Sequence, residues 1–389
     1  MHEDFTPIGI TNYRNANQKF GIKSSDKQRH LYFLGSSGSG KTTLLHNMAL
    51  DDITKGEGVA VLDPHAELAA NIISHIPNHR KQDLIYFNPV DTKSDVFFNP
   101  LHDVPKQLHH IVTSGLIASF KKIWADSWGV RMEYILRYSI LTLLNYPLAT
   151  LLDIHTLLTK REFRVHVLNY LTDEHICAFW EQEFDTYTPK FRAEVIAPIL
   201  NKMGVLRASE PLRRVLGHQT NTLNIKTIMD TRKILICNLS KGELGEETTA
   251  ILGGMLITAM QNTALARANQ PRTERIPFNL YADEIHVYIN SVICNMLAEC
   301  FKFKLTLHIA HQYIEQLEEP IRNAIFGNVG SIIVFRVGAT DAEYLAKEFY
   351  PVFKEQDFVN LPRYHIYLKL MIDGTTSQPF SATTLPPVA

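Results

Sequence analysis

Apolar residues follow two different patterns along this chain, and these patterns divide it into three segments. In the first hundred residues, short apolar runs typical of buried strands alternate with segments in which apolar residues recur at helical spacing. The alternation predicts a parallel sheet with helices on both faces. Its predicted strands are His30–Leu34, Gly58–Asp63 and Asp83–Phe87, and its predicted helices are Thr43–Leu50 and Ala66–Ile76.

Strand patterns almost disappear between about Lys106 and Met229. Apolar residues recur there at helical spacing, as at Ile111, Leu116 and Phe120. We therefore expect an all-helical insertion of about domain size.

Strands and helices alternate again after this insertion. We expect an α/β fold with a parallel-rich central sheet, in which residues 1–104 and 231–389 are the two parts of one domain and residues 105–230 are an inserted all-α domain. The second part is predicted to end in a hairpin of Tyr364–Ile372 and Phe380–Leu385. Its other predicted elements are the strands Lys233–Leu239, Phe278–Asp283, Leu305–Ala310 and Ser331–Val337 and the helices Glu246–Ala266, Ser291–Phe303 and Asp341–Phe349.

Composition narrows the function classes only slightly. The formal net charge of −1 over 389 residues gives no sign of a nucleic-acid binder, so a basic groove would have to be local. No apolar run reaches the roughly 18 residues of a membrane-spanning helix, so we expect a cytoplasmic protein that meets a membrane only through partners. The four cysteines form no C-x-x-C pair and the seventeen histidines show no ligand spacing, which predicts reduced thiols and no structural metal.

A glycine-rich segment supplies the strongest chemical signal. Residues 35–42 match the phosphate-loop (Walker A) pattern G-x-x-x-x-G-K-[ST], between a predicted strand and a predicted helix. Glycines let backbone N–H groups wrap a phosphate, Lys41 can reach the outer phosphates, and the Thr42 hydroxyl can bind Mg²⁺. The predicted cofactors are therefore ATP and Mg²⁺, and we expect Lys41 on an exposed loop. The predicted nucleotide contacts are Gly35, Ser36, Ser37, Gly38, Ser39, Gly40, Lys41, Thr42 and Thr43.

Polar residues at the ends of other predicted strands complete a hydrolytic site. Asp283 and Glu284 end one apolar strand, where Asp283 would hold Mg²⁺ and Glu284 would deprotonate the attacking water. Gln312 ends the next strand and can contact the γ-phosphate or that water. Asp63 ends a further strand at the same sheet edge, and its alternative role is to cap the helix from Ala66.

Such sites usually include an arginine from a neighbouring subunit. Arg336, at the end of a predicted strand, is the first candidate, although a structural salt bridge is an equal alternative. Lys302 and Lys304 are the other candidates.

Together these motifs resemble the FtsK/HerA superfamily of DNA-pumping ATPases. Within it, the chain is most similar to the conjugative coupling ATPases of type IV secretion (the TraG/TraD type), in a soluble form without transmembrane helices. The motifs that carry the resemblance, besides the phosphate loop and the helical insertion, are Leu62–His65, Phe98–Leu101, Asn238–Gly242, Tyr281–Glu284, Ala310–Gln312, Phe335–Gly338 and Asp341–Glu343.

The resemblance implies a RecA-like motor that forms a ring of six, with ATP at subunit interfaces and DNA in the channel. It also implies a secretion channel or a relaxase-type protein as a partner. Two departures are that this chain has no predicted transmembrane helix, and that Phe301-Lys302 stands where the family often has Arg-Lys. The alternative functions are a type IV secretion ATPase that moves protein and a slow ATP-dependent switch or scaffold.

Overall fold

A computed structural model describes residues 5–13 and 17–388 of the protein. A central sheet organises its α/β part. Most strands of the sheet are buried on both faces, as their continuous apolar runs predict. The described strands are Phe5–Thr11 (β1), Lys19–Lys23 (β2), Leu31–Leu34 (β3), Gly58–Asp63 (β4), Leu84–Phe87 (β5), Ile234–Asn238 (β6), Phe278–Ala282 (β7), Leu305–His311 (β8), Ser331–Val334 (β9), His365–Lys369 (β10), Met371–Ile372 (β11), Thr375–Thr376 (β12) and Phe380–Thr384 (β13).

Seven neighbouring strands of this sheet are parallel. The strand order is β2-β1-β13-β10-β9-β3-β8-β7-β4-β6-β5, and all pairs from β9 to β5 are parallel, whereas the pairs from β2 to β9 are antiparallel. The predicted parallel-rich α/β fold of the RecA-like type is thereby confirmed. Parallel strands bring their carboxyl ends to one edge, which is where such sheets bind ligands.

Helices cover this sheet and also form a separate compact unit. The described α-helices are Ser24–Lys27 (α1), Lys41–Thr54 (α2), Glu67–His75 (α3), His109–Ile123 (α4), Val130–Leu143 (α5), Asp153–Thr159 (α6), Arg161–Leu168 (α7), Glu174–Ala178 (α8), Pro189–Ala208 (α9), Glu210–Leu216 (α10), Ile225–Asp230 (α11), Lys241–Leu244 (α12), Glu246–Ala266 (α13), Val292–Glu299 (α14), Glu319–Asn328 (α15), Ala339–Glu348 (α16) and Glu355–Val359 (α17).

The helix α2 follows the phosphate loop and is fixed to the sheet by apolar and polar contacts. Leu45 and Met48 are fully buried in the core beside β3, and each such side chain contributes about 1.5–3 kcal/mol by burial. Asp52 near the end of α2 forms a buried ion pair with Lys27 and accepts a hydrogen bond of 2.6 Å from the Tyr281 hydroxyl of β7. The loop that precedes α2 is therefore attached to a rigid support.

The predicted elements are largely present, but the strands β1 and β2 and the helix α15 were missed. Strand β4 and helix α13 begin and end where the pattern predicted, and β10 and β13 form the expected antiparallel pair with β11 and β12 between them. Strands β1 and β2 were not predicted. They contain Pro7, Gly9 and Gly21, residue types that are depleted in strands, and β1 shifts register between Pro7 and Gly9.

Residues 88–225 and 241–266, which are mostly helical, form a compact unit of their own. These limits differ from the expected segment 105–230, because the unit starts earlier and includes α13, which the alternation had placed in the α/β part. Contacts between α13 and α4 explain why α13 belongs to this unit. At Gly115 of α4, an added Cβ would lie only 2.2 Å from Thr258 Cγ2 of α13, so glycine permits the two helices to approach closely.

Candidate active site

The phosphate loop connects β3 to α2 and depends on glycine at two positions. Gly38 has φ +71° and Gly40 has φ +120°, backbone conformations that residues with a Cβ rarely adopt. The loop is also held from both neighbouring strands. The N–H of Gly35 donates to His311 O at the end of β8, and the N–H of Ser36 donates to Arg336 O after β9 at 2.8 Å. The loop thus lies at the carboxyl edge of the sheet, as its motif predicts.

Lys41 is the first residue of α2, and it is buried. Its side chain is 5% exposed, which corrects the expectation of an exposed loop position. Its Nζ donates to the carbonyl oxygens of Gly35 and Ser36, which keeps the ammonium group inside the loop. Burial lowers the pKa of Lys41, and the nearby carboxylates of Glu284 and Asp283 oppose that shift.

Thr42 and Asp283, the two residues predicted to bind Mg²⁺, form a hydrogen-bonded pair. Thr42 Oγ1 donates to Asp283 Oδ2 at 3.1 Å, and the Asp283 side chain is almost fully buried. Burial raises the pKa of Asp283, with a further rise from Glu284, whereas Lys41 and the Thr42 hydroxyl lower it. A divalent cation between the hydroxyl and the carboxylate would relieve this burial of negative charge. Among the residues that the structure describes, no group of three or more His, Cys, Asp or Glu side chains could hold a metal ion.

Glu284 lies in a strained position beside Asp283. Its backbone has φ 47° and ψ 51°, the left-handed region, which is uncommon for a glutamate. Its Oε1 accepts a hydrogen bond of 2.9 Å from Gln312 Nε2. Its Oε2 is buried, lies 3.3 Å from His286 Nδ1, and has no hydrogen-bond partner among the described residues. One carboxylate oxygen of Glu284 is thus fixed by Gln312, while the other faces His286.

A second row of polar side chains supports Gln312, and the motifs did not predict it. Gln316 Oε1 accepts hydrogen bonds from the backbone N–H groups of Gln312 and Tyr313, both at 3.2 Å. The amide nitrogen of Gln316 therefore faces His286 Nε2. Gln316 Oε1 also lies 3.3 Å from His311 Nδ1. The only sequence signal for this row was its closeness to Glu284 and Gln312 along the chain.

Asp63 lies at the same sheet edge but is occupied by backbone contacts. Its Oδ1 accepts from the N–H of His65 and its Oδ2 accepts from the N–H of Ala69, each at 2.9 Å. Burial raises the pKa of Asp63, whereas these two hydrogen bonds lower it. The contacts favour the alternative role of Asp63, which is to stabilise the start of α3.

The three candidate cations lie at two opposite edges of the sheet. Arg336 follows β9 at the carboxyl edge, where its side chain is exposed and its carbonyl oxygen contacts the phosphate loop. Lys302 and Lys304 precede β8 and therefore lie at the amino edge. Lys302 is exposed, whereas Lys304 Nζ donates to Gln28 Oε1 at 2.8 Å. Neither lysine can serve the phosphate loop of its own subunit from that edge.

The resemblance inferred from the motifs is confirmed by comparison with known proteins. Residues 2–130, less than half of the chain, match the family model of type IV secretory system conjugative DNA transfer. No curated protein sequence matches the chain.

Solved structures extend the likeness over nearly the whole chain. The unbound bacterial conjugative coupling protein TrwB is 15% identical, covers 95% of this chain and 87% of its own, and has a TM-score of 0.70. TrwB in complex with ADP and Mg²⁺ is 14% identical, with coverage of 94% and 87% and a TM-score of 0.71. VirB4 of Thermoanaerobacter pseudethanolicus is 12% identical, with coverage of 98% and 96% and a TM-score of 0.64. At such identities the likeness establishes the fold.

Proposed function

We propose that this protein is an ATP-hydrolysing, ring-forming DNA translocase that serves conjugative DNA transfer. One observation carries the ATPase part of the proposal. The Thr42–Asp283 pair and the Glu284–Gln312 pair lie together beside Lys41 at the phosphate loop, within hydrogen-bond distance inside each pair. The five side chains together fit the parts that phosphoryl transfer to water requires.

Each of these side chains has a distinct role in the proposed reaction. Bound ATP supplies the γ-phosphoryl group, and Mg²⁺ offsets its negative charge. Thr42 and Asp283 would hold the cation, and Lys41 would contact the outer phosphates from inside the loop. Glu284 takes the proton of the attacking water at Oε2, while Gln312 fixes the carboxylate through Oε1.

DNA is the proposed substrate of the motor. The family model that matches residues 2–130 describes conjugative DNA transfer, and the TrwB structures are described as those of a plasmid or conjugative coupling protein. Both favour a coupling motor over a protein-moving secretion ATPase. A secretion channel or a relaxase-type protein would be the partner that couples the motor to transfer.

We further propose that the motor works at the inner face of the membrane as a peripheral ring of six. Among the described residues, no helix is both long and apolar enough to cross a bilayer. In this proposal, partners provide the attachment to the membrane. Arg336 is the proposed cation that one subunit offers to the ATP of its neighbour, because its side chain is exposed next to the phosphate loop. Lys302 is the alternative, from the opposite sheet edge.

The test is the ATPase rate with no DNA, with single-stranded DNA and with double-stranded DNA, across protein concentrations that populate the oligomer. We expect the specific activity to rise steeply with protein concentration or on addition of DNA, and to vanish in Lys41→Ala. An ATPase rate that neither form of DNA changes, at any protein concentration, would favour the protein-moving alternative. Very slow turnover in all conditions would favour a switch or scaffold.

Mixing inactive variants tests the shared site. Arg336→Ala subunits and Glu284→Gln subunits should each be inactive, and their mixture should recover some turnover, because some interfaces pair an intact arginine with an intact glutamate. The control replaces Arg336→Ala by Arg272→Ala, an exposed arginine before β7 at the amino edge, which should remain active by itself. A mixture that co-assembles but stays inactive would exclude Arg336 as the shared cation.

A further inference from the structure

A tyrosine covers the phosphate loop from the side of the antiparallel strands. Tyr364, just before β10, donates its N–H to Ser39 O at 2.9 Å and accepts at its own carbonyl from the N–H of Thr384 at 2.8 Å. An added Cβ on Gly40 would lie 2.7 Å from Tyr364 Cδ1, so the ring lies directly against the loop. The tyrosine has φ +67°, a strained backbone conformation that these contacts hold in place.

The strand order indicates which end of a nucleotide lies near Tyr364. Asp283, Glu284 and Gln312 follow β7 and β8, on one side of β3. Strands β9 and β10 lie on the other side. A nucleoside triphosphate is a linear chain from the γ-phosphate to the base. Since the outer phosphates belong beside the metal pair and Glu284, the nucleoside leaves the loop towards β9 and β10.

Arg363 places a flat cation on the outer side of this tyrosine. Its Cζ lies 4.7 Å from the centroid of the Tyr364 ring, and its side chain is exposed. Within residues 5–13 and 17–388, no hydrogen bond or ion pair engages its guanidinium group. Guanidinium groups stack on nucleobases as well as on aromatic rings, and this one lies over the Tyr364 ring on an exposed side chain.

We propose that Arg363, supported by Tyr364, is the platform on which the base of the bound nucleotide stacks. Stacking uses the flat face that all bases share and reads no hydrogen-bonding edge. The site therefore binds adenine and guanine nucleotides with similar affinity. The inference rests on the proposed nucleotide-binding function of the phosphate loop and adds the part that holds the nucleoside.

Calorimetric titration with ADP, GDP and inorganic tripolyphosphate tests the platform. Arg363→Ala should weaken ADP and GDP binding by about tenfold each, a stacking-sized effect, and should leave tripolyphosphate binding unchanged. Arg363→Lys keeps the charge without the plane and should not restore binding. Arg272→Ala, which removes an exposed arginine at the opposite sheet edge, is the matched control and should bind like the wild type.

Several results would overturn the inference. Arg363 would be a phosphate contact if Arg363→Ala weakened the binding of tripolyphosphate and Arg363→Lys bound ADP and GDP like the wild type. Unchanged ADP binding with lost turnover would make it a cation that acts in the reaction. A strong preference for ADP over GDP in the wild type would show that the base is read by its edge. If the wild type binds neither nucleotide nor tripolyphosphate, the proposed function fails as well.

Discussion

The two sides of the phosphate loop have opposite characters. On the catalytic side, which we define as Asp283, Glu284 and Gln312 after β7 and β8, both carboxylates are buried and each has a defined polar partner. On the nucleoside side, defined as Arg336, Arg363 and Tyr364 beside β9 and β10, both arginines are exposed. Burial strengthens electrostatic interactions and shifts pKa values, as hydrolysis requires. Exposure suits groups that meet a base or a neighbouring subunit.

The largest expected effect comes from the residue between the two sides. Lys41→Ala should abolish ATP hydrolysis and weaken ATP binding, because a charge-assisted contact to the outer phosphates is lost. ATPase assays and nucleotide titrations measure both effects. Lys41 is buried, so the variant also needs circular dichroism to show that it is folded. Wild-type turnover in a folded variant would refute the phosphate-loop assignment.

Glu284→Gln should impair ATP hydrolysis on the catalytic side without impairing nucleotide binding on the nucleoside side. The amide retains the shape of the carboxylate but cannot accept the proton of water, so turnover should fall by about a hundredfold or more. ATP affinity should stay close to that of the wild type, since the contacts on the nucleoside side are intact. Rapid turnover in this variant would mean that another group is the base, and Asp63 is the next candidate.

The catalytic side could be predicted from the sequence for a physical reason. Asp283, Glu284 and Gln312 each follow an apolar run, and parallel strands bring all such ends to one edge of the sheet. Local patterns therefore sufficed to predict that these three residues lie together near the phosphate loop, although they are more than 240 positions from Thr42. Asp283 contacts Thr42, and Gln312 contacts Glu284. The strained backbone of Glu284 left no local signal, and the only signal for Gln316 was its closeness to Gln312 along the chain.

The nucleoside side and the limits of the helical unit could not be predicted in this way. The contact of Tyr364 with Gly40 depends on antiparallel strand order, which apolar runs do not reveal. Likewise, the pattern of α13 gave its bounds correctly but not its neighbours. The helix is buried nearly all round, so its sequence shows no polar face that could indicate where it packs.

Glycine substitutions in the loop test how closely the nucleoside side is packed. Gly40→Ala should destabilise the fold by about 1–3 kcal/mol and abolish nucleotide binding, because φ is +120° and the added Cβ would meet Tyr364 at 2.7 Å. Gly38→Ala is the matched control. It has φ +71° but no atom within 4 Å of the added Cβ, so its cost should be smaller. Chemical denaturation and ADP titration compare the two variants, and equal costs would contradict the contact with Tyr364.

The smallest predicted effect is a sensitivity to acid that belongs to the catalytic side. His311 is fully buried beneath Gln312, and burial lowers its pKa from 6.5 to about 3. Above about pH 6.5 the imidazole is neutral in both the folded and the unfolded protein. As the pH falls below that value, only the unfolded chain takes up the proton, so stability is lost progressively towards pH 3. At pH 5 the loss from this group is about 2 kcal/mol.

His311→Gln, which cannot titrate, isolates this contribution. The free energy of unfolding, measured in urea at about pH 7.5 and about pH 5, should fall by about 2 kcal/mol less in the variant than in the wild type. His30 is also buried, with its pKa lowered to about 4, but it is present in both proteins and its effect cancels in the comparison. Equal losses would mean that His311 is protonated in the folded protein at pH 5. Its Nε2 then could not accept the hydrogen bond from the Tyr32 hydroxyl, and the polar row behind Gln312 would have to rearrange.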